Sequence, residues 1–430
     1  MKLCNKDACT GCMACINICA VGALKFQYDT KGFGYPEIDA ERCVKCESCS
    51  RVCPASHSTA PIDHTPVVYA AKSKNAGIRA QSSSGGIFSE LALQILNRGG
   101  VVFGAAFDEK LHLRHMAVHR PEELTLLRGS KYLQSEIGNS FQNVRRELLT
   151  GKSVLFCGTP CQVAGLKSFL GKPYPELFTV DLVCHGVPSP KVFRNYCEML
   201  QRKLGIKITD YFFRDKKWSW KHFNSKIVGV LNENASPEAF SRLIYADNAW
   251  YGTWESDPWT RGFLSNYFLR PSCYSCRYSN MNRPGDITLA DYWGYHSRRS
   301  LLDDDRGISM VLLNNKHGRE LFELLKNRVI YVPTSCEEAI GGNKALSGSF
   351  QESPLSADFW ATFEQDGYEG TLERFMGPEK LGLELRTLYK FGRNSIRFRL
   401  VRLFILLAWR PLRLYRKSIQ CVRDFGCRRA

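Results

Sequence analysis

Residues 9–54 read CTGCMACINICAVGALKFQYDTKGFGYPEIDAERCVKCESCSRVCP. Cys9, Cys12, Cys15 and Cys19 make one C-x2-C-x2-C-x3-C run. Cys43, Cys46, Cys49 and Cys53 make a second with the same spacing, followed by Pro54. A 4Fe–4S cluster takes four thiolates around a cube, and a tight loop supplies three of them. The fourth comes from the other run, which assigns Cys9, Cys12, Cys15 and Cys53 to one cluster and Cys43, Cys46, Cys49 and Cys19 to the other. Structural zinc also uses C-x2-C pairs, but it separates its two pairs by a longer stretch.

Two such runs are the ligand pattern of a two-cluster bacterial-type ferredoxin, and residues 1–56 are read as that domain. Ala20 stands where proline usually follows the fourth cysteine, a departure that removes no ligand. Cys4 lies outside the pattern. Between the runs, residues 20–39 alternate apolar positions around the turn-like DTKGFG, which predicts a hairpin. Residues 55–66 (ASHSTAPIDHTP) read as a small, polar linker.

The chain has 430 residues and 44% hydrophobic composition, enough for two or three domains and a large core. Its 18 cysteines cluster, and no apolar segment precedes them, so they do not form a disulfide framework. Cluster ligands need a reducing compartment, which points to the cytoplasm. The formal charge of +17 is uneven: 13 Lys and Arg against only Asp424 follow from Arg386 onward. A basic face with stacking aromatics and a recognisable module would signal nucleic-acid binding, and neither is present in the sequence.

From Val67 the pattern becomes mixed α/β. Strands are predicted at VVYAAK, VVFGAAF, LHLRHMAVH, SVLFCG, LFTVDLVC, DITLADYWG, ISMVLLNN and VIYVPTS. Helices are predicted after SSSGG, at SFQNVRRELL, within TPCQVAGLKSFLG, at SPKVFRNYCEMLQRKLG and over 316–326. The strand–helix alternation over 153–204 argues for a partly parallel sheet. Residues 67–150 and 151–335 are taken as two parts of one body. Residues 205–270 are aromatic-rich, with core the more common fate of such side chains and a pocket wall the alternative. Residues 336–430 form a helical, basic extension. The fold class is thus α+β / α/β: a ferredoxin-like domain, a mixed α/β body and a helical tail.

Three constellations carry chemistry. In SSSGGIF a serine-rich loop enters a helix, where backbone N–H groups and the Ser82, Ser83 and Ser84 hydroxyls suit either a phosphate or a simple helix cap. GTPCQ (158–162) sits at a strand-to-helix switch, where open α/β sheets bind ligands. Four thiols drawn from Cys157, Cys161, Cys184, Cys273 and Cys276 could hold a third cluster or could be small core hydrophobes. His185, at a strand end, is the candidate proton donor, with a structural histidine as the alternative and Asp291 a weaker choice.

The motifs RAQSSSGGIFSELA, GSKYLQS, FCGTPCQVAGLK, DLVCHGVPS and RPSCYSCRYSN…GDITLADYWG, in that order, resemble the beta-subunit family of coenzyme F420 hydrogenases and dehydrogenases. The resemblance covers about two thirds of the chain once the ferredoxin unit is included. It implies a flavin, FAD in the better-known members, beside an extra 4Fe–4S cluster on Cys161, Cys184, Cys273 and Cys276, with Cys157 a neighbour. It implies flavin contacts at Ser84, Gly85 and Gly86, and more loosely at Lys131, Tyr132, Gln134, Ser135, Thr159 and Gln162.

The fused ferredoxin unit and the HGVPSP wording resemble the bacterial branch often linked with surface-polysaccharide synthesis. The expected activity is an iron–sulfur flavoprotein oxidoreductase, taking electrons from a ferredoxin-type partner to a small or sugar-linked substrate. An electron-transfer subunit without a substrate site is the alternative. In the tail, LFILLAW (403–409) is too short to span a membrane. It suits either a helix at a membrane surface or one packed on the body.

Overall fold

In the computed structural model, which describes residues 3–57, 65–217, 219–221, 224–231, 249–253, 257–295 and 302–376, each cysteine run turns into a short helix. These are α1 (Ala14–Ile18) and α2 (Ser48–Arg51). The sequence duplication is also a backbone duplication. Gly11 and Met13 flank Cys12 at φ +67° and +59°, and Lys45 and Glu47 flank Cys46 at +56° and +60°. Two left-handed residues around the second cysteine give each loop the same tight curl. Between the runs, β1 (Leu24–Tyr28) and β2 (Gly34–Ile38) form the expected antiparallel hairpin, Leu24 opposite Ile38 and Tyr28 opposite Gly34.

The body is built on an eight-stranded sheet. Its strands are β3 (Val67–Ser73), β4 (Val101–Phe107), β5 (Leu113–Val118), β6 (Val154–Gly158), β7 (Leu177–Leu182), β11 (Ile287–Asp291), β12 (Ser309–Leu313) and β13 (Val329–Thr334), in the order β13-β3-β12-β11-β7-β6-β4-β5. The central strands β4, β6, β7 and β11 run parallel. Strands buried on both faces read as continuous apolar runs, and Val154, Leu155 and Phe156 are all fully buried. The two parts of the body share this sheet: β3 pairs antiparallel with both β12 and β13.

Helices cover both faces. α3 (Ala76–Ala80) follows β3, and α4 (Ile87–Leu96) packs on the face carrying Val102, Leu155 and Val180. On the opposite face α5 (Ser140–Leu149) and α6 (Pro160–Leu170) pack against Phe103, Val154 and Phe156. α7 (Pro190–Leu204) leads into a second, antiparallel sheet of β8 (Ile206–Asp215), β9 (Asn224–Leu231) and β10 (Ala249–Thr253). Trp259 and Phe213 lie buried among Phe193, Tyr211 and Phe263, so this aromatic stretch is chiefly core. RPSCYSC forms a one-turn helix, Pro271–Tyr274.

The polar stretch before β3 suggests a tethered module, yet residues 3–57 are docked into the body. Cys12, Met13 and Ala14 share a core with Phe141, Val163 and Leu166. Asn17 Nδ2 donates to Gly138 O (2.8 Å), Gln142 Nε2 to Asn17 O (2.8 Å), and Ser168 Oγ to Val52 O (2.7 Å). Arg277 Nη1 donates to the carbonyls of Pro54 and His57, both at 2.6 Å. Residues 377–430, including LFILLAW, lie outside the described residues. Among the described residues no helix is long and apolar enough to cross a membrane.

Candidate active site and cluster cradles

Cys4, Cys9, Cys12, Cys15, Cys49 and Cys53 line one small apolar cavity. The four cysteines assigned to the first cluster are thus together, joined by Cys49 of the second set and by Cys4, which spacing alone leaves without a role. The Cys4 thiol beside them holds Cys9 and Cys53 below the ordinary thiol range, helped at Cys9 by Arg270. Cys12 is pushed up to about 12 by burial. Cys19, Cys43 and Cys46 stand nearer the surface, with Cys46 exposed. The backbone N–H of Ala23 donates to Cys19 Sγ (3.2 Å), and such bonds help set a cluster's potential.

A third cysteine group forms where α6 meets the ends of the parallel strands. Burial pushes Cys161 up to about 11, Cys273 up to about 12 and Cys184 well above the ordinary thiol range. The neighbouring thiols Cys161, Cys273 and Cys276 add to the rise at Cys184. Cys157 is raised instead by burial and then by Asp181, and so stands apart from the four.

The segment carrying Cys273 and Cys276 is pinned to β7 by a fully buried ion pair, Arg283 Nη2 to Asp181 Oδ1 (2.9 Å). Asp181 also accepts from Gly285 N (2.8 Å) and Thr288 Oγ1 (2.7 Å), leaving its charge well satisfied. Gly186 allows the close approach: its φ is +141°, and a Cβ there would meet Leu269 at 2.9 Å and Cys273 at 3.3 Å. Val187 N donates to Cys273 Sγ (3.4 Å), and Thr159 Oγ1 lies 3.1 Å from Cys161 Sγ.

All three groups offer only soft thiolate donors, the chemistry of iron–sulfur clusters. Among the described residues no three His, Cys, Asp or Glu side chains could hold a single metal ion. A cubane spreads its thiolates more widely than one tetrahedral ion does.

A cavity of about 540 Å³ opens at the carboxyl ends of β4, β6, β7 and β11. Its wall includes Ser82, Ser83, Ser84, Gly86, Lys131, Tyr132, Ser135, Thr159, Gln162, Cys184 and His185. Two sequence candidates are not there. Gly85 sits against β12, its N–H bonded to Ser309 Oγ (3.0 Å), and a Cβ on it would meet Ala71 O at 2.4 Å. Gln134 turns toward the N-terminal module, donating from Nε2 to Thr10 O (2.7 Å).

The serine loop also differs from a simple row of donors. Ser82 Oγ donates to Ile78 O and Ser84 Oγ to Ile308 O, both at 2.7 Å. Ser83 Oγ accepts from Ser130 N (2.7 Å) and so keeps its own proton to donate. The first turn of α4, after Gly86 at φ +89°, opens on the cavity and presents backbone N–H groups to it.

Lys131 supplies a cation whose proton affinity burial lowers to about 8; its ammonium donates to Arg128 O (2.7 Å). Gln162 Oε1 accepts from Thr159 N (3.0 Å) while its Nε2 donates to Ser135 O (2.9 Å), locking two loops of the wall. His115, also in the wall, was not marked by any sequence motif. It bonds Cys157 O (3.0 Å) and Ser135 Oγ (2.8 Å), and burial lowers it to about 4, so it is neutral.

His185 stacks on Phe350 at 3.8 Å. Asn266 Nδ2 donates to Gln351 O (3.1 Å), which turns its Oδ1 toward His185 Nε2 (2.7 Å). In the neutral ring the proton is therefore on Nε2 and the lone pair on Nδ1. Asp291 is paired with the buried Arg214.

The family model described as a 4Fe–4S dicluster domain matches residues 8–57. No curated relative matches the chain. Among solved structures, a chain of the F420-reducing NiFe hydrogenase complex from Methanosarcina barkeri is similar at 15% identity and a TM-score of 0.42, covering 79% of this chain and 97% of that one. The models described as coenzyme F420 hydrogenase/dehydrogenase beta subunit, N-terminal and C-terminal, match residues 68–141 and 151–336, together more than half of the 430 residues. This iron–sulfur chain belongs to the coenzyme F420 hydrogenase/dehydrogenase beta-subunit family.

Proposed function

We propose that the chain is an iron–sulfur flavoprotein oxidoreductase that draws electrons from a ferredoxin-type partner to reduce a small or sugar-linked substrate. The observation that carries this reading is the shared wall: Cys184 belongs to the half-buried four-cysteine group and also lines the large cavity. Cys9, Cys12, Cys15 and Cys53 would hold one cluster, Cys19, Cys43, Cys46 and Cys49 a second, and Cys161, Cys184, Cys273 and Cys276 a third. Cys12 feels the charge of Cys161, so the first and third sets are neighbours.

A flavin in the cavity would supply the exchange between one-electron and two-electron chemistry. The α4 N-terminus and Ser83 would bind its phosphate. Lys131 would hold a positive charge at the wall, Thr159 and Gln162 would keep the wall rigid, and His185 would present an imidazole to the substrate side. Exposed Cys46 beside Val44, which is 65% exposed, suits contact with the redox partner.

Mixing the anaerobically purified chain with reduced ferredoxin, nicotinamide and deazaflavin donors tests the reading. Flavin absorbance should bleach with at least the ferredoxin donor. In Cys46→Ser the bleaching should slow while bound flavin is unchanged. Absence of flavin from the purified wild-type chain contradicts the proposal.

A further inference from the structure

We infer that Arg270 is the buried counter-charge of the Cys9 cluster set and favours that set's reduced form. This rests on the reading that Cys9, Cys12, Cys15 and Cys53 hold a cluster. The Arg270 side chain is wholly buried, yet every acceptor it meets through its nitrogen–oxygen bonds is neutral. Nε donates to Cys9 O (2.7 Å), Nη2 to Gly34 O (2.8 Å) and Nη1 to Gln134 Oε1 (3.0 Å). Nη2 also lies 3.8 Å from Cys9 Sγ, and the guanidinium sits 4.4 Å above the Tyr35 ring. The other buried arginines among the described residues differ: Arg79 pairs with Asp304, Arg214 with Asp291 and Arg283 with Asp181.

A buried cation facing only neutral groups is costly. A cubane with four thiolates is an anion, and reduction adds one more negative charge. A fixed positive charge against one of its sulfurs therefore offsets the burial cost and favours the reduced form. At the outer set exposed Arg51 donates from Nη2 to Cys46 O (2.9 Å), where water and salt screen its charge. In the step at issue one electron leaves a reduced iron–sulfur donor protein and arrives at the Cys9 set, with no bond or proton exchanged.

The test is a potentiometric titration of the full anaerobic chain, read by electron paramagnetic resonance, with iron counted in every variant. Arg270→Gln should lower the reduced-to-oxidised ratio of one cluster at least tenfold at fixed potential, a shift of about 59 mV for one electron. Gln134→Glu sets a carboxylate against the guanidinium and should shift the same signal in the same direction. Arg270→Lys keeps the charge and should stay near wild type.

Unchanged potentials in Arg270→Gln and Gln134→Glu with full iron content overturn the inference. So does an equal shift in Arg270→Lys and Arg270→Gln, which would make the guanidinium fork, not its charge, the active feature. Iron loss in both Arg270→Gln and Gln134→Glu would assign these residues to docking the module and also overturn it. A wild-type chain without clusters sinks the underlying reading as well, so the two failures are distinguishable.

Discussion

His115 is held neutral by its surroundings. It is buried, stacked 4.9 Å from Phe156, and lowered by burial to about 4, against about 6.5 in an unfolded chain. Between those values the unfolded state binds the proton and the folded state does not. Stability is therefore complete above about pH 6.5 and falls as the pH drops toward 4, by up to about 3 kcal/mol, with no further loss from this group below that. Urea midpoints measured from pH 7.5 to 4 should show the slope, and His115→Gln should lose that component of it.

At the same scale the cysteine spacing made the N-terminal ligands legible, because a cluster loop is a local pattern. Cys4, Gln134 and Arg270 were illegible or misplaced for the converse reason. Cys4 gains its place only when the loop closes over Cys9 and Cys53, and Gln134 is turned away from the large cavity by Thr10 and Arg270.

Among the elements, α6 connects the sites. Its capping residue Thr159 and its first-turn Cys161 and Gln162 reach the cavity and the third cysteine group, and its middle touches the first. Gly165 makes that contact: a Cβ there would stand 3.0 Å from both Cβ and Sγ of Cys12. A mid-helix glycine costs about 1 kcal/mol relative to alanine, which the close approach explains. Gly165→Val should push the Cys9–Cys15 loop away, destabilise the chain by about 1–3 kcal/mol and lower its iron content. A denaturant midpoint and an iron assay check both; a variant of wild-type stability with full iron would show that the helix does not support the loop.

Most such elements were readable, since apolar runs and amphipathic periods are local. The sequence order did not reveal that β3 pairs with β12 and β13, because strand partners more than 200 residues apart are chosen by tertiary packing.

For the whole molecule, the N-terminal module is part of the body's core. Its polar linker composition suggests independence. The docking contacts come instead from scattered body residues, among them Arg277, Ser168 and Gln142, that carry no motif. This arrangement places the Cys9 set beside α6 and so beside the cysteines of the large cavity. Under the proposed function a third cluster stands between the module and that cavity.

Iron and flavin counts on the anaerobically purified full chain, wild type against Cys184→Ser, test it most directly. The account predicts about twelve irons per wild-type chain, from three clusters of four, about eight in Cys184→Ser, and flavin released from the wild type. Eight irons in both proteins, or a wild-type chain that holds zinc and no flavin, would contradict it.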